Sequence, residues 1–282
     1  MPRIHLVTYA TPRFQLRQII LGASARINGV VDSVTSWTPQ KLLNAGFEER
    51  CKGIKISERG SGFWAWKPFV INAKLREIPE GDLVFYCDVG RLYPFKLLDR
   101  PATPFVQWME ARGQDMMPGV EIPWDGSNAS WIKREALAFT DMDFPEVHEA
   151  SPVQASFSLW RAGSSSRAFV TCWLDWCSQR SLVSDDPSQG GLEELPEFRG
   201  HRHDQALLTL CCLKEGIKAL NIGTLRPDID TRHPDQVSSA LDGGAPAGKS
   251  MRASLVRIAA WPIWQTEMKL RQKVKFGEPI NE

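Results

Sequence analysis

No run of apolar residues in this 282-residue chain approaches the roughly 20 needed to cross a bilayer. Met1 to Ala10 carries one short apolar run and none of the layout of a secretion signal, so the expected location is the cytoplasm. An excess of one charge is also lacking: 34 Lys and Arg oppose 33 Asp and Glu, for a net charge of +1. A nucleic-acid partner, which asks for a basic excess, is therefore not expected. The six cysteines (Cys51, Cys87, Cys172, Cys177, Cys211 and Cys212) show no C-x-x-C pair and no disulfide-framework spacing. Cys87, Cys172, Cys211 and Cys212 lie in apolar segments, where a free thiol acts as a small hydrophobe. There is no G-x-S-x-G elbow, no H-E-x-x-H and no internal repeat. Apolar residues at 43% and charged residues at 24% exclude a disordered or collagen-like chain.

What is present is tryptophan, 11 residues of it, a side chain that builds cores and also lines sugar and nucleotide pockets. At roughly 150 residues per domain, the length suggests about two domains or one large α/β domain. Ile4 to Tyr9 and Val30 to Trp37 read as strands, with a helix between them over Arg13 to Ile27 whose apolar stripe is Leu16, Ile19, Ile20 and Ala23. Pro39 to Phe47 reads as a short helix with proline in its first turn. Gly60 to Pro68 reads as a loop and Phe69 to Leu75 as a helix. Leu83 to Cys87 is a strongly apolar strand between a Pro-Glu-Gly-Asp turn and Asp88-Val89-Gly90. Val153 to Trp160 reads as a strand. Ser164 to Cys177 and His203 to Lys214 read as helices, and Ile217 to Ile222 as a last strand. The alternation predicts an α/β fold with a mostly parallel sheet flanked by helices. Residues 1–235 form the expected main domain. Residues 236–282 form a glycine-rich loop and a basic amphipathic helical tail.

Three segments carry candidate chemistry. Asp88 ends a buried strand, which delivers its carboxylate to the sheet edge where α/β proteins bind ligands; it also suits a simple turn. Hard divalent cations prefer such oxygen ligands. Gly60-Ser61-Gly62-Phe63-Trp64-Ala65-Trp66-Lys67-Pro68 offers two glycines for close approach, Lys67 as a phosphate partner near a helix start, and Trp64 and Trp66 as stacking or core residues. Arg199-Gly200-His201-Arg202-His203-Asp204-Gln205 offers imidazole and carboxylate for a metal and arginine for phosphate, or merely a capped helix start. Gly243 to Ser250 matches the P-loop expression, but the polar segment before it is no strand, so a mobile loop is the better reading.

Together these segments resemble a family of bacterial glycosyltransferase-like proteins with the GT-A fold, found among polysaccharide and lipopolysaccharide genes. The matching blocks run from Leu6-Val7-Thr8-Tyr9-Ala10 through Arg59-Gly60-x-Gly62-Phe63-Trp64-x-Trp66-Lys67-Pro68, Gly81-Asp82, Tyr86-x-Asp88-x-Gly90, Trp131-x-Lys133-Arg134 and Gln154-x-Ser156-Phe157 to His201-Arg202-His203-Asp204-Gln205. They span about three quarters of the chain in family order. The resemblance implies a Rossmann-like GT-A fold. It also implies a nucleotide-sugar donor and a glycan or lipid-linked glycan acceptor, as in polysaccharide biosynthesis. Asp88 matches the first acid of the D-x-D metal motif, with Gly90 at the third place, so Mn²⁺ or Mg²⁺ would be held by Asp88 with His201 or His203. Lys67, Lys133 and Arg202 would stabilise the departing nucleotide. Thr8 and Tyr9 would meet the base and ribose, with Arg59, Gly62 and Trp66 in the donor site. Gln154 and Ser156 would bond a sugar hydroxyl, and Asp204 would serve as general base beside Asp88. The alternative is a non-catalytic nucleotide- or carbohydrate-binding protein, which Gly90 favours.

From Lys249 to Lys275 there are seven basic residues and one acidic residue, with Trp261, Ile263 and Trp264 among them. Such a helix suits peripheral contact with the inner face of the plasma membrane, or equally packs on the catalytic domain.

Overall fold

The computed structural model describes residues 2–90, 96–189, 191–221 and 229–242. The P-loop match at 243–250 and the basic tail at 249–275 lie outside the described residues. The seven strands are β1 (Ile4–Tyr9), β2 (Ser33–Trp37), β3 (Leu83–Cys87), β4 (Met116–Met117), β5 (Val120–Glu121), β6 (Val153–Gln154) and β7 (Phe157–Arg161). Five form one sheet in the order β2-β1-β3-β7-β4, while β5 and β6 pair as a separate ribbon. β1 runs parallel to β2 and β3; β7 runs antiparallel to β3 and to β4. The protein is thus α/β with a mixed sheet, compatible with a Rossmann-like fold.

The longer helices are α1 (Gln15–Ile27), α2 (Trp66–Glu77), α3 (Thr103–Glu110), α4 (Ser164–Cys177), α5 (His203–Lys214) and α6 (Pro234–Leu241). Strand alternation divides the core into two layers. Val7, Val84, Tyr86 and Trp160 face α2, α4 and α5, where Val70, Ile71, Trp173 and Leu207 meet them. Leu6, Phe85, Phe157 and Leu159 face α1 and α3, with Leu21, Ala25, Phe105 and Met109. Trp160 and Trp173 are fully buried and stack at 6.3 Å between ring centres.

The chain leaves β1 for β2 on one side and later returns to β3 on the other. The carboxyl ends of β1 and β3 therefore flank a topological switch point, the crevice where open α/β sheets bind ligands. Asp88 immediately follows β3 at that edge.

β1, β3, α4 and α5 occupy the spans read from the sequence. At other points the structure differs. In α1 the expected stripe is wrong: Leu16 is 44% and Ile19 61% exposed, Ala23 is exposed, and only Ile20 is buried. The inward face instead carries Gln18, whose amide donates to the carbonyls of Thr8 at 3.2 Å and Trp37 at 2.9 Å. Buried strand-end carbonyls need donors, and this requirement overrides apolar periodicity. Val153 to Trp160 is not one strand; it breaks at Ala155 and Ser156, between β6 and β7. Of the expected strand at 217–222, the described residues 217–221 form only a single parallel bridge from Leu220 to Val120. Pro39 to Phe47 is divided into helical segments Pro39–Asn44 and Phe47–Arg50 around Gly46, whose φ is 78°.

α6 crosses the expected boundary at 235 and buries Val237 in the second core layer, so residues 236–241 are helical rather than loop. Among the described residues no helix is long and apolar enough to cross a membrane.

Ile19→Ser is expected to change stability by less than about 0.5 kcal/mol, whereas Leu21→Ala costs about 2–5 kcal/mol. Urea denaturation of the two variants measures this directly, and equal losses would contradict the assigned burial.

Candidate functional site

The site starts with an unusual turn. Gly60, Ser61, Gly62, Phe63 and Trp64 all have positive φ, at 61°, 58°, 88°, 53° and 58°. The amides of Phe63 and Trp64 bond back to the carbonyls of Arg59 and Gly60 at 2.7 and 3.3 Å, closing one left-handed helical turn. L-residues resist this hand by about 1–2 kcal/mol each, and three of the five are not glycine. Glycine stands where nothing else can. A Cβ on Gly60 would come within 2.5 Å of the Trp64 ring, and one on Gly62 within 2.9 Å of Ile54 Cγ2 and 3.3 Å of the Lys55 carbonyl oxygen. The turn places Trp64 on the surface of the crevice and starts α2, so that Lys67 points inward.

Lys67 is the centre of the arrangement. Its ammonium lies 2.9 Å from Asp204 Oδ2, 3.0 Å from the Ala155 carbonyl oxygen and 3.8 Å from Asp88 Oδ1. It also sits 5.6 Å from the centre of the Tyr86 ring. The break between β6 and β7 turns the Ala155 carbonyl toward it. The next carbonyl, that of Ser156, accepts the Asp88 amide at 2.8 Å. Asp88 also accepts the Tyr86 hydroxyl. Burial opposes the charge on Lys67, but the carboxylates of Asp204 and Asp88 outweigh it and raise its pKa. Burial pushes Asp204 up to about 6, against the pull of Lys67.

These groups open into a cleft of about 490 Å³, within the range of small-molecule sites. Arg59, Lys67, Arg199 and Arg202 line it beside Asp88, Asp185 and Asp204, with Trp64 and Trp131 as walls. Arg202 lies 3.8 Å over the Trp131 ring and pairs with Asp125. Arg59 lies 5.9 Å from the Trp64 ring centre and pairs with Asp185 at 2.8 Å. Among the described residues the Arg199 guanidinium makes no hydrogen bond or ion pair and rests 6.0 Å from the Trp131 ring.

His203 has a φ of 50°, a further strained residue at the start of α5. Its Nδ1 donates to the Val183 carbonyl at 2.9 Å, and its ring stacks on Trp64 at 5.2 Å. His201 Nδ1 accepts the Lys133 amide at 3.2 Å. Burial lowers the pKa of both imidazoles, that of His201 well below its ordinary value, so both rings are neutral at pH 7.

Of the residues singled out in the sequence, the cleft gathers Arg59, Trp64, Lys67, Asp88, Ser156, His201, Arg202, His203 and Asp204. The others lie outside its lining. Trp66 is core: its indole N–H donates to the Gly60 carbonyl at 2.9 Å and its ring packs on Tyr9 at 4.1 Å with a 33° tilt. Thr8 and Tyr9 are buried at the end of β1. Gly62 shapes the left-handed turn. Gln154 accepts the Thr231 hydroxyl at 3.0 Å. Lys133 is buried and donates to the Ser184 and Asp186 carbonyls at 3.3 Å each, which holds the loop carrying Asp185. Burial lowers its pKa against the opposing charge of Glu135.

Trp131, Asp185, Arg199 and Gln205 line the cleft without having been singled out as site residues. Arg199 and Gln205 belong to the His-Arg-His block, and Trp131 opens the Trp-x-Lys-Arg block. Asp185 sits in a polar loop without a motif.

The expected metal set fares differently. Asp88, His201 and His203 share the cleft, but among the described residues no group of three or more His, Cys, Asp or Glu side chains is arranged to hold a metal ion. The Nδ1 of each imidazole is engaged, while each Nε2 is buried without a hydrogen-bond partner; the Lys67 ammonium stands between the carboxylates of Asp88 and Asp204. With that ammonium in place, the two carboxylates do not fit a divalent cation between them.

No protein-family model matches the chain, and no curated protein sequence is significantly similar to it.

Gly62→Ala is expected to lower stability by about 1–3 kcal/mol through strain at positive φ and contact with Ile54. Equilibrium urea unfolding checks this; a wild-type midpoint would remove the left-handed turn from the description.

Proposed function

We propose that this chain is a nucleotide-sugar-dependent glycosyltransferase of GT-A type, acting on a polysaccharide, lipopolysaccharide or other glycan acceptor. The observation that carries this reading is the meeting of three arginines, Lys67 and three carboxylates in one aromatic-walled cleft at the switch point. Guanidinium groups placed over Trp131 and near Trp64 suit phosphate oxygens, which they bond in pairs. Trp64 and Trp131 offer apolar faces for a sugar or base.

In the proposed reaction an acceptor hydroxyl oxygen bonds to the anomeric carbon while the bond from that carbon to phosphate oxygen breaks. The nucleotide leaves with the electron pair, and Arg199, Arg202 and Arg59 balance its charge. The hydroxyl proton passes to Asp204. With a pKa of about 6, Asp204 is ionised at neutral pH yet more basic than an ordinary aspartate. Asp88, whose side chain is 30% exposed, is the carboxylate more open to ligand.

A second reading keeps the nucleotide or carbohydrate and drops the chemistry. Gly90 at the third motif place and the engagement of Asp204 by Lys67 favour it. Slow donor hydrolysis without acceptor separates the two, because a pure binder leaves the donor intact.

Thermal melts with UDP, GDP, CDP, CMP, ADP and ATP, with and without Mn²⁺, test the ligand class. One nucleotide at about 100 times its Kd should raise Tm by roughly 5–10 °C, and Arg199→Ala should shrink that rise. No rise with any of them would sink the transferase reading and the nucleotide-binding form of the second, leaving only a carbohydrate binder. For the enzyme, turnover should fall as pH drops through about 6, where Asp204 takes up a proton. Asp204→Asn should remove that limb and lower the rate by about 10²–10⁴-fold. An unchanged pH–rate profile in Asp204→Asn would take the base role from this residue.

A further inference from the structure

We infer that Lys67 is the resident cation of this cleft: its ammonium occupies the place between Asp88 and Asp204 that a divalent ion would take. The cleft then works without a metal and acquires a metal site when the lysine is removed. This deepens the proposed function and rests on it only for the identity of the ligand that the cation serves.

The oxygen set around Nζ is the first reason. Two carboxylates and a backbone carbonyl converge on it at 2.9, 3.8 and 3.0 Å. Hard oxygens of this kind, carboxylate plus carbonyl, are what Mg²⁺ and Mn²⁺ select. Here they surround an ammonium, which donates to the Ala155 carbonyl and pairs by charge with both carboxylates.

Enclosure is the second reason. The side chains of Lys67 and Asp204 are 5% and 6% exposed, so neither is free to move aside for an incoming hydrated ion. Lys67 enters from the first turn of α2, directly behind the left-handed turn, and Asp204 from the first turn of α5. Both ends are anchored by helices packed in the same core layer. The open side is Asp88, which leaves the pair facing the cleft.

Charge is the third. Two carboxylates flank one ammonium at the cleft floor, while the arginines gather on its walls. A ligand phosphate is therefore drawn to the walls, and the floor needs no second cation to hold its carboxylates together. A tethered ammonium also cannot be stripped by a chelator.

Removing the ammonium leaves Asp88, Asp204 and the Ala155 carbonyl facing an empty, charge-starved space. Truncation to alanine makes room for an ion and its water.

The test is electron paramagnetic resonance of Mn²⁺ titrated into the full chain, with circular dichroism to confirm the fold of each variant. In the wild type the free-ion signal should be unchanged by protein. Lys67→Ala should bind one equivalent of Mn²⁺ at least about tenfold more tightly than wild type. Adding Asp88→Asn to Lys67→Ala should abolish that binding. Wild-type binding of one equivalent that Asp88→Asn abolishes would overturn the proposal. So would a folded Lys67→Ala that gains no Mn²⁺. Should Lys67→Ala not fold, the wild-type and Asp88→Asn titrations decide alone. None of these readings needs a nucleotide, so failure of every nucleotide to bind would remove the glycosyltransferase reading and leave the metal result standing.

Discussion

A single ammonium ties four parts of the chain together. Lys67 comes from the start of α2, Asp204 from the start of α5, Asp88 from the end of β3, and the Ala155 carbonyl from the break between β6 and β7. Each lies at an end or an interruption of regular structure, where backbone and side chains are free to turn toward one point. Buried ion pairs seldom stabilise more than an apolar replacement of the same shape. Losing one partner, by contrast, typically costs about 3–5 kcal/mol. The upward shift of Asp204 to about 6 carries the same message: its site disfavours the charge that the proposed chemistry requires. Such an arrangement makes sense as a device for binding or reaction rather than for stability.

Strain follows the same geography. The left-handed turn at 60–64 and the positive φ of His203 face each other across the cleft, joined by the stacking of Trp64 on His203. Strained residues persist only where the surroundings over-determine them. The surroundings here are the large core layer of α2, α4 and α5, with Trp160 and Trp173 stacked inside it. Lys133 adds a third support, since its buried ammonium holds the loop that brings Asp185 to Arg59.

Much of the α/β architecture was legible in the sequence because its elements are governed by local pattern. Leu83 to Cys87 is apolar throughout and lies in the middle of the sheet. Ser164 to Cys177 repeats at helical spacing and forms α4. The failures have one physical source, polar groups recruited across the chain. Gln18 turned the buried face of α1 because two strand-end carbonyls needed a donor. Ala155 and Ser156 broke a strand because Lys67 and the Asp88 amide needed acceptors. The site was legible as three blocks, and the cleft gathers residues from each of them. Individual roles were less so: Trp66 and Lys133 carry ligand-like side chains yet serve the interior, while Arg199, in the same block as Arg202, is the guanidinium left open. Asp185 had no local signal, since its place depends on a loop held by a distant lysine.

The two ends of the central ion pair lie in different halves of the chain, and so do the two rings stacked across the cleft. Regular structure around either end alone therefore builds no binding surface. The crevice exists only after the long intervening segment has been closed into β3, β7 and α4, so the proposed ligand recognition would report completion of the fold. A chain halted before α5 packs would hold Lys67 without its closest counter-charge and Trp64 without its partner ring. Affinity for the ligand would then rise in one step on docking α5, making the cleft a built-in proof of assembly.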